Sequence, residues 1–109
     1  MSVVVVNRLR FSVPVDELSP RIADAFPPAF DECAGFEGFE LVKVGDHEVV
    51  VLIHWADGAS AQAGAARIGP TIFNDLIVPN LAAEQDRVVG PVVVQHPAAA
   101  RQGVAGTRP

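Results

Sequence analysis

The side chain best placed for chemistry in this chain is a carboxamide. The segment from Val3 to Phe11 reads as a β-strand. Alternation across a strand puts Val3, Val5, Asn7, Leu9 and Phe11 on one face. Asn7 is the polar exception on that face. Leaving a buried amide without partners costs roughly 1–3 kcal/mol. Asn7 is therefore either tied to backbone or open to a ligand.

Other reactive groups are dispersed. The three histidines stand at 47, 54 and 96, and Cys33 is the single cysteine, so no metal-ligand spacing emerges. No glycine-rich phosphate loop, nucleophile elbow or paired-carboxylate motif is present. His54 is the candidate general base, because the imidazole side chain as a class changes charge near neutral pH. Strand alternation, however, assigns it to the face opposite Ile53, away from Asn7, where an interface role is expected. His47 falls at a hairpin turn and His96 at a strand end. Trp55 reads as a residue that closes the core.

Composition narrows the partners. Half of the 109 residues are hydrophobic and 19% are charged, which describes one globular domain. The net charge is −5 with eight scattered basic residues, so nucleic acid is not the expected partner. No apolar run approaches the ~18 residues of a membrane span. The Met-Ser-valine start lacks the features of a secretory signal, and a lone cysteine suits a reducing cytoplasm. A small apolar or neutral molecule fits this chain better.

The elements that must hold Asn7 follow from periodicity. Ser19-Pro20 resembles a helix start, with Leu18, Ile22, Phe26, Phe30 and Cys33 on one apolar face. Pro27-Pro28 predicts a kink or two abutting short helices. Gly35 marks the stop. Strand two runs from Phe36 to Val44, interrupted by Gly38. Gly45-Asp46 is a turn, and Glu48 to Trp55 is strand three. Asp57 caps a helix over 58–66, and Gly69-Pro70 starts another with Ile72, Phe73, Leu76, Ile77 and Leu81 inward. Strand four is expected over 88–96, with Gly90-Pro91 suggesting an edge or a bulge. The order is β-α-β-β-α-β, an α+β ferredoxin-like arrangement with a four-stranded antiparallel sheet, over residues 1–96. Residues 97–109 form a tail without apolar periodicity. The helices cover one sheet face. Val4, Val6, Val42, Val44, Val50 and Leu52 remain on the other, with Arg8, Arg10, Glu40 and His54, and two such faces packing together would make a homodimer.

Three features coincide: Asn7 in a valine-rich first strand, Gly35-Phe36-Glu37-Gly38-Phe39-Glu40-Leu41 opening strand two, and Val51-Leu52-Ile53-His54-Trp55 closing strand three. Together, over roughly Val3 to His96, they resemble the antibiotic biosynthesis monooxygenase domain of the dimeric α+β barrel superfamily. The resemblance implies a dimer with a pocket between sheet and helices. It also implies a monooxygenase that uses no cofactor and acts on a small aromatic or quinol-like molecule and dioxygen. Asn7 would then donate to a phenolate oxygen, and Phe26, Phe39, Val51, Phe73 and Ile77 would wall the ring. Quinol monooxygenases and haem-degrading enzymes share this family. In the haem branch a histidine and a tryptophan are used at positions that fall here at Phe73 and Gly64. Phenylalanine cannot ligate iron and glycine would leave space, so haem is the lesser alternative. A non-catalytic dimer that binds a small apolar ligand is the other.

Overall fold

The computed structural model describes residues 1–97. Its elements are β1 (Val3–Arg10), α1 (Val15–Asp31), β2 (Phe36–Gly45), β3 (Glu48–Trp55), α2 (Gly58–Ile68) and β4 (Asp86–Pro91). A π-helical segment, Gly69–Ile77, and a 3-10 turn, Val78–Asn80, lie between α2 and β4. The four strands form one antiparallel sheet in the order β2-β3-β1-β4, the ferredoxin-like arrangement. Central β1 places Asn7 opposite Val51 of β3 and Arg87 of β4. Its burial alternates as the sequence implies, with Val3, Val5, Asn7 and Leu9 inward.

α1 departs from the sequence reading in two ways. It begins at Val15 rather than at Ser19-Pro20, with Pro14 as its N-cap. The hairpin turn supplies what a capping side chain would: the Asp46 carbonyl accepts the Val15 N–H at 2.7 Å. Asp16 and Glu17 in the first turn suit the positive end of the helix dipole. The helix then runs unbroken for 17 residues through Pro20, Pro27 and Pro28, without the division expected there. Each proline removes a donor from the carbonyl four residues back. Those carbonyls belong to Asp16, Ala23 and Asp24, all exposed residues on the solvent side of the helix, where solvent can stand in for the missing donors. The inward face of Val15, Leu18, Ile22, Phe26 and Phe30 is undisturbed.

β2 contains the irregularity expected at Gly38. The register shifts between Phe36 and Gly38, one extra residue against β3. Strict alternation would send Phe36 and Phe39 to opposite faces, but the bulge turns both toward the helices. Gly35, just before, has φ of +80°. A β-carbon there would also strike Ser60 at the start of α2.

α2 starts as read, with Asp57 accepting the Ser60 N–H at 2.8 Å. The following segment is wound as a π-helix, in which the Val78 N–H reaches the Phe73 carbonyl five residues back. β4 starts at Asp86, two residues before the expected Val88, and ends at Pro91 rather than His96. It is an edge strand, as Gly90-Pro91 suggested. Apart from Pro97, the tail lies outside the described residues. On the sheet's outer face Val42, Val44 and Val88 are exposed.

The Ser60 backbone N–H, then its hydroxyl, holds the Asp57 carboxyl below the ordinary value of 3.8. A depressed folded pKa means the cap stabilises above the unfolded value and fades as pH falls through the folded one. Asp57→Ala is expected to lower Tm at neutral pH. The gap from wild type should shrink as the pH drops below 3.8, which a Tm-against-pH series measures directly.

Candidate functional site

Between the sheet and the helices lies a cavity of about 160 Å³. Its floor is the inward face of the sheet. Val5, Asn7 and Leu9 come from β1, Phe39 and Leu41 from β2, and Val51, Ile53 and Trp55 from β3. Ile22, Phe26 and Phe30 of α1 form one wall, and α2 with the π-helical segment forms another, including Phe73 and Ile77. The structure thus brings Asn7, Phe26, Phe39, Val51, Phe73 and Ile77 around one space. Trp55 borders it too, but is 1% exposed and packed edge-on to Phe30 and Phe36.

Asn7 is 6% exposed and is the buried polar residue of the described core. No main-chain group saturates it. Its Nδ2 donates to the Gln85 side-chain Oε1 at 2.6 Å, while its Oδ1 is buried and has no partner among the described residues. This changes the expected polarity. One amide hydrogen is already engaged by protein, and the unmet group is an acceptor. An orphaned buried acceptor carries a desolvation cost of about 1–3 kcal/mol.

Gln85 and Arg87 were not among the sequence candidates. Both border the cavity beside Asn7. They were hidden because β4 was read from its valines; the polar residues at its start gave no apolar alternation. Placed in register, Gln85 and Arg87 share a face with Val89, the partner of Val5. Arg87 is the charged side chain on the cavity wall, and among the described residues no carboxylate lies within ion-pair distance of it.

His54 is elsewhere. It sits on the outer face, paired across β1 with Val4, and its Nε2 is 3.3 Å from Glu40 Oε1. Arg8 and Arg10 both reach Glu48 on that face, so these ion pairs form within one chain. Among the described residues no group of three or more His, Cys, Asp or Glu could hold a metal ion.

A haem does not fit these residues. Among the described residues the wall offers no histidine, cysteine, methionine or tyrosine as an axial ligand. Gly64, expected to leave space, is covered by the Trp55 ring, with which a β-carbon at that position would collide.

No protein-family profile matches the sequence, and no curated protein matches it. Solved structures do. SnoaB, a cofactor-independent oxygenase from Streptomyces nogalater, superposes with TM-score 0.74 at 17% identity, over 89% of this chain and 98% of that one. The monooxygenase ActVA-Orf6 of Streptomyces coelicolor, in complex with nanaomycin D, gives 0.70 at 18% identity, over 89% and 93%. A mutant of MhuD with two manganese protoporphyrin IX bound per active site gives 0.68 at 19%, over 88% and 99%. The chain therefore has the fold of the antibiotic biosynthesis monooxygenases, as the resemblance implied.

Gly64→Ala is expected to destabilise by about 1–3 kcal/mol, because it forces the Trp55 ring out of its packed position. Urea denaturation with tryptophan fluorescence checks this, and an unchanged midpoint would show that the ring yields freely.

Proposed function

We propose that this protein is a cofactor-independent monooxygenase, active as a homodimer, for a small aromatic or quinol-like molecule bound beside Asn7. The observation that carries the reading is a buried, half-satisfied carboxamide on the wall of an otherwise apolar cavity. The fold shared with SnoaB and ActVA-Orf6 supports it. A lone free cysteine suits a cytoplasmic location.

The chemistry asks little of the protein. An electron-rich hydroquinone that has lost a proton passes an electron to dioxygen. The resulting radicals combine, and loss of water leaves a hydroxyquinone. Overall, hydroquinone and O2 give hydroxybenzoquinone and H2O, with the substrate supplying every electron. The aromatic and aliphatic walls hold the ring and exclude water, and Asn7 fixes one ring oxygen. Arg87 places a positive charge beside the anion, which favours its formation. The proton leaves toward solvent at the exposed Gln85–Arg87 side, since the wall carries no carboxylate or imidazole.

That same lack of an acid–base pair favours a second reading, a dimer that only holds an apolar ligand. Oxygen uptake with a panel of hydroquinones and anthrone-like compounds separates the two. Wild type is expected to consume oxygen, and Asn7→Ala to be slower by about tenfold or more. Equal rates remove the role given to Asn7. Bound ligand in native mass spectrometry without any uptake selects the binding module.

The dimer reading rests on the outer face, where Val4, Val6, Val50 and Leu52 are half-buried and Val42, Val44 and Val88 are exposed. Light scattering should give twice the chain mass for wild type and the single mass for Leu52→Arg. A monomeric wild type would refute the pairing.

A further inference from the structure

The Asn7–Gln85 bond has a direction, and the direction determines what the cavity can accept. Gln85 turns its Oε1, an acceptor, toward Asn7, and the N–H end of the Asn7 amide meets it. The carbonyl end is left over, and among the described residues nothing donates to it. A carbonyl oxygen accepts and cannot donate. A guest that completes Asn7 must therefore bring an O–H or N–H. The terminal torsion of asparagine is soft, so the amide can turn slightly to meet that donor while keeping its bond to Gln85.

Size sets a second limit. A dry apolar cavity of about 150 Å³ admits one benzene ring, and this cavity measures about 160 Å³. Position sets a third. Asn7, Gln85 and Arg87 adjoin one another at the sheet edge formed by β1 and β4, so the amide and guanidinium groups gather at the open side of an otherwise apolar pocket. A guest with one polar edge and an oily remainder matches that division.

We infer that the cavity selects a single-ring aromatic whose protonated hydroxyl donates to Asn7 Oδ1, and that Gln85 is the positioning residue that imposes this polarity. The inference rests on the reading of the cavity as a substrate site, and adds the substrate's size and hydrogen-bonding sense.

The test is binding under nitrogen, read by fluorine NMR on the full chain. The probes are para-fluorophenol and para-difluorobenzene, which match in shape and differ in one donor. Anthrone, read by competition, is the three-ring probe. Wild type is expected to bind the phenol about tenfold more tightly than the difluoride, and anthrone more weakly than the phenol. Gln85→Glu keeps an acceptor opposite Asn7 and should retain the preference. Gln85→Met frees the amide to turn either way, and the ratio should fall to about twofold or less. Gln85 is exposed and precedes β4, so neither change disturbs the core.

Equal affinities in wild type, no binding of the phenol, or a preference that survives in Gln85→Met would overturn the inference. Anthrone binding as tightly as the phenol would overturn the one-ring limit. Because no oxygen is present, the two readings fail separately. A hydroxyl preference without oxygen uptake supports this inference and removes the oxygenase, whereas quinol turnover without the preference removes this inference alone.

Discussion

The Phe30 ring is the contact on which the rest of the interior depends. It descends from α1, is 1% exposed, and meets four other rings. It stacks on Phe36 with centroids 4.9 Å apart and lies 5.0 Å from Phe39, both from β2. Trp55 of β3 stands edge-on to it, and Gly64 of α2 lies against the six-membered ring of that indole. One aromatic column thus joins both helices to the sheet. Rings are flat and stiff, so a column of them fixes the spacing of the layers. The space beside it cannot close without breaking those contacts, and that space is where Asn7 looks.

The two faces of the sheet divide the labour. Outside, polar side chains pair among themselves: His54 with Glu40, and Arg8 and Arg10 with Glu48. On the inner face one buried amide stands among hydrocarbon, with its glutamine partner and one guanidinium at the exposed rim. Such an interior is poorly equipped to shuttle protons and well equipped to hold a reactive molecule away from water. The proposed chemistry, in which the substrate provides its own electrons, makes no demand for such a shuttle.

The layers were legible because alternation is a strong signal. Asn7 among Val3, Val5 and Leu9, and the run from Glu48 to Trp55, gave strands and faces with little ambiguity. The Gly38 bulge showed as an isolated glycine, although its effect of aligning Phe36 with Phe39 required the register. Three things were not legible. Pro27-Pro28 argued for a broken helix because a sequence does not tell that the orphaned carbonyls face water. The π-helical winding near Phe73 has no side-chain signature distinct from an α-helix. Gln85 and Arg87 carry no such signal, because polar residues before and at the opening of an edge strand resemble a loop until the partner strand is known. The direction of the Asn7 bond depended on that same missing partner.

The margins of the sheet are poor templates for another strand. β4 is only six residues long, bears Asp86 and Arg87, and ends at a proline with no hydrogen to offer. Beyond it the chain is pinned by the Val92 N–H on the Ser2 carbonyl at 2.8 Å. β2, at the opposite margin, is dislocated near both ends and carries Glu37, Glu40 and Lys43. A valine-rich ribbon with straight, regular borders would invite stray strands to anneal and grow into fibrils. The flaws at its borders insulate this one.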